Sequence, residues 1–213
     1  SNYVPNGGIW MNTQRPEWND ANNALAGFGL SMVTTYYMYR YLGFLENLIN
    51  EVEDTLPCFE IIQELIEKMA KVFVQDPKAL NENNNHRFFA IEGLGRAGEQ
   101  YRKLVYEGNF GKKSKFKITN LKSFLKDVRN HLKNSINSNL RTDGLYNAYN
   151  ILNLNIEEST ASVDYLGPML EGQVAVLSSQ SIGLEESLEL LESLRNSPLY
   201  CKDRKSYILY ADK

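Results

Sequence analysis

Residues 22–41 read NNALAGFGLSMVTTYYMYRY, and this stretch decides the fold class that the sequence predicts. Its apolar residues recur at steps of three and four, the spacing of residues on one face of a helix. They form two rows, Leu25, Phe28, Met32, Tyr36 and Tyr39 in one, and Ala26, Leu30, Val33, Tyr37 and Tyr41 in the other. A helix with two such rows is apolar around most of its circumference, so we expect it to be deeply buried, with Asp20 or Asn22 as its cap.

The same spacing predicts further helices along the rest of the chain. One begins near Thr55 and Pro57, one contains Phe88 and one begins at Thr119, and two more cover residues 166–178 and 184–195. Only residues 206–210 have the pattern of an extended segment. The sequence therefore predicts a single all-α domain over residues 1–213, built from antiparallel helical hairpins.

Composition and charge restrict the function classes. The formal net charge of −3 argues against general nucleic-acid binding, because affinity for a phosphate backbone rests on clustered positive charge. No apolar run is long enough to span a bilayer, so no membrane contact is expected, and the start of the chain does not resemble a signal peptide. These features do not declare a compartment, and a cytoplasmic location is slightly favoured. Cys58 and Cys201 are far apart and fit no metal-ligand spacing, so we expect neither a disulfide nor a metal site, and no motif indicates a cofactor.

Residues 14–25, QRPEWNDANNAL, are unusually rich in hydrogen-bonding groups. They include two carboxylates, a guanidinium, several carboxamides and an indole directly before an apolar helical pattern. A helix entrance needs only one capping side chain, so most of these groups exceed the structural requirement. Polar groups around an aromatic platform are suited to holding a sugar, which makes this stretch the main candidate for a functional site.

Acidic residues, both in this stretch and elsewhere in the chain, are the candidates for catalysis at such a site. Cleavage of a glycosidic bond needs a carboxylic acid to protonate the leaving oxygen, and a hydrolase usually needs a second carboxylate. Glu17 and Asp20 lie three residues apart in the polar stretch, and Glu171 interrupts an apolar helical pattern, where a carboxylate is either paired or faces a cavity. Asp143 lies in the polar, aromatic segment RTDGLYNAY and is either a substrate contact or the first residue of an Asp-Gly turn.

Two other patterns each have a structural and a functional interpretation. The lysines between residues 112 and 133 form either a solvated surface or a site for an anionic partner. The tyrosines of residues 36–41 either pack in the core or line a sugar cleft. In an acidic chain with helical spacing, the structural interpretation is favoured for both.

Residues 17–21, EWNDA, resemble the Asp-Trp-Asn-Asp-Gly loop of the cellobiose and chitobiose phosphorylases, inverting sugar-cleaving enzymes built on an (α/α)6 toroid. The longer string 14–25, together with DGLY at 143–146 and LEGQ at 170–173, is similar to large bacterial proteins described as phosphorylase-like or glycosyl-hydrolase-like. The resemblance covers residues 10–42 and 140–210.

The resemblance implies a role for each matching residue. Glu17 would be the general acid of an inverting cleavage, and Glu171 would be the base if water is the acceptor. The substrate would be held by the remaining matched side chains, which are Arg15, Trp18, Asn19, Asp20, Asn22, Asp143, Tyr146 and Gln173. Glu17 replaces the aspartate of the family, and no phosphate-binding motif is recognisable, so hydrolysis and phosphorolysis both stay open.

A complete toroid has twelve helices, whereas about six are predicted here. The resemblance therefore implies half a barrel, the C-terminal part of a larger catalytic domain, which would form a homodimer or associate with the missing half. The expected partner is a carbohydrate substrate. The alternatives are a non-catalytic helical module that binds carbohydrate or protein through the same residues, and an inactive fragment.

Overall fold

The computed structural model describes residues 1–11 and 27–211 and has a mixed α/β fold. Helices make up 54% and strands 20%, and five of the strands form one curled antiparallel sheet. The prediction of an all-α domain belonging to an (α/α)6 toroid is therefore wrong. Since a toroid of that kind is built from helices alone, the presence of the sheet is the finding that overturns it.

The five-stranded sheet is antiparallel throughout. Its strands, in the order in which they pair, are β1 (Tyr3–Val4), β2 (Gly8–Trp10), β3 (Gly29–Ser31), β6 (Tyr149–Asn155) and β7 (Thr160–Tyr165). The sheet thus joins the beginning of the chain to a hairpin more than a hundred residues later. The β6–β7 hairpin was not predicted from the sequence.

The long helix that follows β3 begins ten residues later than predicted. Helix α1 spans Met32–Asn50, and Ser31 caps it by accepting a hydrogen bond from the backbone N–H of Thr34 at 3.0 Å. Gly27 has a positive φ of 88°, and the next residues pair with β6 as a strand. Glycine weakens a helix, so the helical spacing of residues 27–31 does not determine their conformation.

The remaining helices are α2 (Glu60–Phe73), α3 (Pro77–Glu82), α4 (Asn84–Tyr106), α5 (Ile118–Ser138), α6 (Leu170–Ser178) and α7 (Leu184–Asn196). The helices predicted around Phe88, from Thr119 and over 184–195 are confirmed, and the one predicted over 166–178 begins at Leu170. The predicted start at Thr55 and Pro57 is wrong, because residues 55–59 form strand β4 (Thr55–Phe59), which pairs with β5 (Lys113–Lys117). Strands β8 (Tyr200–Cys201) and β9 (Ser206–Tyr207) form a small ribbon.

Three clusters of buried apolar side chains hold these layers together. One lies among α1, α2, α4 and α5, a second joins α1 to α6 and α7, and the third lies between the sheet and α4. Met32 and Tyr36 of α1 are fully buried, whereas Tyr41 and Phe44 are more than half exposed. The expectation that the whole helix is deeply buried is therefore wrong. Within residues 1–11 and 27–211, no helix combines the length and the apolar character needed to cross a membrane.

Candidate functional site

A groove of about 720 Å³ runs between the loop 140–146 and helix α7. Its walls carry Asp143 and Tyr146 from the loop, and its other side is formed by Glu186, Glu189 and Glu192. The groove, called the α7 groove from here on, has the volume of a typical small-ligand site. It brings together two of the residues that the sequence analysis assigned to substrate binding.

The carboxylates of the α7 groove differ in their protein partners. Asp143 forms an ion pair with Arg141 at 2.8 Å and accepts a hydrogen bond from the Leu145 backbone N–H, and the contact with Arg141 is the main reason that its pKa is lowered. Glu186 accepts a hydrogen bond from the Gly183 backbone N–H at 2.7 Å and so caps α7.

Glu189 and Glu192 have no hydrogen-bond or ion-pair partner within residues 1–11 and 27–211. Both are exposed residues of α7. They are the two groove carboxylates that are available as hydrogen-bond acceptors for a ligand.

Tyr146 connects the groove to the core. Its ring is almost completely buried and stands edge-on to Tyr36, with 6.3 Å between the ring centroids. Burial, together with the negative charges of Glu186 and Glu189, raises the pKa of the Tyr146 hydroxyl to about 12. The hydroxyl is therefore protonated at neutral pH and can act as a hydrogen-bond donor.

Gln173 lies behind this tyrosine and is fully buried. Its side-chain oxygen accepts a hydrogen bond from the Tyr146 backbone N–H, and its side-chain nitrogen donates to the carbonyls of Tyr146 and Met169, each at 2.8 Å. These three bonds use both ends of the amide. The structure thus gives Gln173 a bridging role between the loop and α6.

Glu171 lies outside the α7 groove, on the first turn of α6. Its carboxylate accepts a hydrogen bond from the Tyr149 hydroxyl at 3.0 Å. Burial, followed by the charge of Glu171, raises the pKa of Tyr149, so the hydroxyl stays protonated and keeps donating. Glu171 is an exposed residue and forms no ion pair within the described chain, so its carboxylate stays open to solvent.

The polar stretch that gave the other six predicted site residues falls between the described parts of the chain. Arg15, Glu17, Trp18, Asn19, Asp20 and Asn22 lie outside the described residues. The two flanking positions are close together, because the Met11 backbone N–H donates to the Gly29 carbonyl at 3.1 Å and the Trp10 indole N–H donates to the Gly27 carbonyl at 2.7 Å. Gly29 in turn pairs with Ile151 of β6.

The three glutamates of the groove were missed by the sequence analysis. Glu186, Glu189 and Glu192 recur at steps of three in a predicted helix, which places them on one face. That spacing was visible in the sequence, but nothing in it indicated that the loop 140–146 lies opposite. In residues 1–11 and 27–211, no group of three or more His, Cys, Asp or Glu residues could hold a metal ion.

Comparison with known proteins adds no relative. No protein-family model and no curated protein sequence matches this chain.

Proposed function

We propose that this chain binds a carbohydrate in the α7 groove. The observation that carries the proposal is the convergence of Asp143 and Tyr146 with the glutamates of α7 on one cavity of about 720 Å³. Sugar hydroxyls donate hydrogen bonds, and carboxylates are strong acceptors for them. Tyr146, whose hydroxyl is a hydrogen-bond donor, lines the same cavity.

The charge of the groove favours a particular class of sugar. Four carboxylates line the cavity, and one of them, Asp143, is neutralised by Arg141. A uronic acid or a sulfated sugar would be repelled by the remaining negative charge. We therefore propose a neutral glycan or an amino sugar as the ligand.

The binding proposal is tested by titrating the protein with neutral, amino and uronic oligosaccharides in a calorimeter. The informative variant is Glu189→Gln, because Glu189 has no protein partner within the described chain and its loss leaves the helix cap intact. We expect affinity for a neutral or amino sugar to fall about tenfold, because the substitution removes one charge-assisted hydrogen bond. Glu157→Gln, an exposed change in the β6–β7 turn, is the matched control and leaves affinity unchanged.

Binding of none of these sugars at millimolar concentration would contradict the proposal. Equal affinities of the wild-type protein and Glu189→Gln would move the binding site away from the groove. A preference for the uronic oligosaccharide would contradict the assignment of the ligand class alone.

As an alternative to binding in the α7 groove, we propose that the chain cleaves a glycosidic bond with inversion at a separate site, with Glu17 as the general acid and Glu171, which lies outside the groove, as the second carboxylate. The specific support is that Glu171 is exposed and is held by a neutral hydroxyl rather than by a cation. A base that activates water needs such an unneutralised carboxylate. Inversion requires the two carboxyl groups to lie roughly 6.5–9.5 Å apart in the complex.

Cleavage is measured as the release of reducing sugar from β-linked disaccharides, with and without inorganic phosphate. We expect Glu17→Gln and Glu171→Gln each to lower the rate by more than about a hundredfold, the usual contribution of acid–base catalysis. Equal rates for the three proteins would remove both residues from the mechanism. Sugar binding without turnover would instead support a non-catalytic carbohydrate-binding module.

A further inference from the structure

Helix α1 carries an apolar stripe on the surface of the molecule. The stripe consists of Tyr37, Tyr41, Phe44 and Leu48, which are 45%, 54%, 60% and 49% exposed. These positions are spaced by four, three and four residues, so they lie on one line along the helix. Arg40, which is also exposed, borders the stripe, because it is three residues from Tyr37 and four from Phe44.

The stripe faces away from the core of the chain. The buried residues of α1, which include Met32, Tyr36 and Leu42, lie on the opposite side of the helix. Tyr39 of the same helix is covered within its own chain, because the Arg129 guanidinium lies over its ring, 4.5 Å from the ring centroid. A helix that is apolar on both sides is normally buried on both sides, whereas in residues 1–11 and 27–211 no segment buries the outer side of α1.

We infer that this stripe is the contact surface of a homodimer, in which the α1 helices of two copies pack antiparallel about a twofold axis. The spacing of the stripe is self-complementary. With the axis between Leu42 and Gly43, Tyr41 of one copy meets Phe44 of the other, and Tyr37 meets Leu48. A twofold interface requires this kind of reciprocal match, in which one patch fits its own copy.

The apolar area that the stripe can bury limits the affinity of the dimer. An aromatic side chain buries roughly 150–250 Å², so four half-exposed large side chains offer about 400 Å² per copy. A stable dimer needs about 800 Å² per copy. The stripe therefore supplies about half of that area, and we expect a weak dimer with a dissociation constant on the order of 10–100 µM.

The composition of the stripe fits a protein–protein contact. Tyrosine and phenylalanine are enriched at the centres of interfaces, where they contribute most of the binding energy. The charged residues of α1 are Arg40 and Glu46, and both have partners in their own chain: Arg40 donates to the Ser178 carbonyl, and Glu46 pairs with Arg129 at 2.5 Å. Glu46 is therefore neutralised within its own chain, whereas the exposed Arg40 guanidinium contacts only a neutral carbonyl and has to stay at the solvated edge of the contact.

The test is sedimentation equilibrium of the 213-residue protein between about 1 µM and 1 mM, a range that brackets the expected dissociation constant. We expect the average mass to rise from one copy toward two. Phe44→Glu places two carboxylates at the centre of the contact and should raise the dissociation constant more than about tenfold. Phe89→Glu is the matched control, since Phe89 is a 56% exposed aromatic residue of another helix and lies outside the stripe.

Circular dichroism and the urea midpoint show whether each variant is folded. If Phe44→Glu is unfolded, Tyr41→Asp tests the same contact one turn away. A protein that stays monomeric at 1 mM would overturn the inference. So would a dimer that survives both substitutions, or one that Phe89→Glu dissociates.

Discussion

At the scale of single residues, side chains with similar chemistry have very different uses in this molecule. Glu186 caps its own helix, whereas Glu189, three residues later, has no protein partner within the described chain. Asp143 forms an ion pair with Arg141. Arg141 also donates a hydrogen bond to the Leu166 carbonyl and so connects the loop 140–146 to the residue that follows β7. The type of residue alone does not separate a structural carboxylate from one that is free to bind a ligand.

Gln173→Leu should lower the free energy of unfolding by about 2–4 kcal/mol. The substitution keeps the side chain's size but removes the side-chain partner of the buried Tyr146 N–H and carbonyl and of the half-buried Met169 carbonyl, and each unsatisfied buried group costs about 1–3 kcal/mol. Urea unfolding measures the change. Gln75→Leu, at an exposed position, is the control and should stay within about 0.5 kcal/mol of the wild-type protein. Equal stabilities of the two variants would show that the bridge to Tyr146 contributes nothing.

Asp143→Asn should change how stability depends on pH. The pKa of Asp143 is lower in the folded chain than its ordinary value of 3.8, chiefly because of the Arg141 hydrogen bonds. Its carboxylate therefore contributes stability above that value, and the contribution is lost as the pH falls through the folded pKa. Urea unfolding of both proteins should show the variant less stable at pH 6, with a difference that shrinks as the pH falls below 3.8. A difference that does not shrink with falling pH would contradict this. Asp203→Asn, in the β8–β9 turn, is the control.

At the scale of elements, the caps and the pairing of strands decide where helices begin. Asn83 begins α4, because its side-chain oxygen accepts hydrogen bonds from the backbone N–H groups of Asn85 and His86 at 2.9 and 3.0 Å. Ser31 has the same role for α1. The beginnings of α1 and α4 are therefore set by a short polar side chain rather than by the first apolar residue.

Asn83→Ala should lower the free energy of unfolding by about 1 kcal/mol, the usual cost of losing an N-cap. Asn83→Asp keeps an oxygen acceptor at the same position and should leave the stability nearly unchanged. Thermal or urea unfolding of the two variants separates the cap from any other effect of position 83. If aspartate is as destabilising as alanine, the cap is not the cause.

The helices were largely predictable from the sequence, whereas the sheet was not. Helices α4, α5 and α7 follow from local periodicity, because the repeat that defines them lies within each segment. β3 and β6 stabilise each other across more than a hundred residues, and the mixture of asparagine and leucine in β6 gives no strict alternation. Part of the α7 groove was predicted from the sequence, because Asp143 was identified by its local motif. The position of Asp143 opposite α7 was not predicted, because it depends on tertiary packing.

At the scale of the whole molecule, one buried arginine joins parts of the chain that are distant in sequence. Arg87 is 3% exposed, and its guanidinium donates to the carbonyls of Pro5, Asn81 and Ala161. These carbonyls belong to the β1–β2 turn, the end of α3 and strand β7. Arg87 therefore links the sheet to the helical layer by hydrogen bonds, in addition to the apolar cluster between the sheet and α4.

Arg87→Ala should lower the free energy of unfolding by about 3–5 kcal/mol, because three carbonyls lose a charged donor inside the protein. Arg96→Ala, two turns further along α4, removes an exposed ion pair with Glu92 and should cost less than about 0.5 kcal/mol. Urea unfolding compares the free energies of unfolding of the two variants, which both lie on α4. Similar losses in both would show that Arg87 is not a central link.

The contacts that border residues 12–26 have a consequence for testing the predicted site. The Met11 backbone N–H donates to the Gly29 carbonyl, and the Trp10 indole N–H donates to the Gly27 carbonyl. Neither contact uses a side chain of residues 12–26. Substitutions of Glu17 and its neighbours can therefore be compared with one another while the hydrogen bonds that join β2 to β3 are retained.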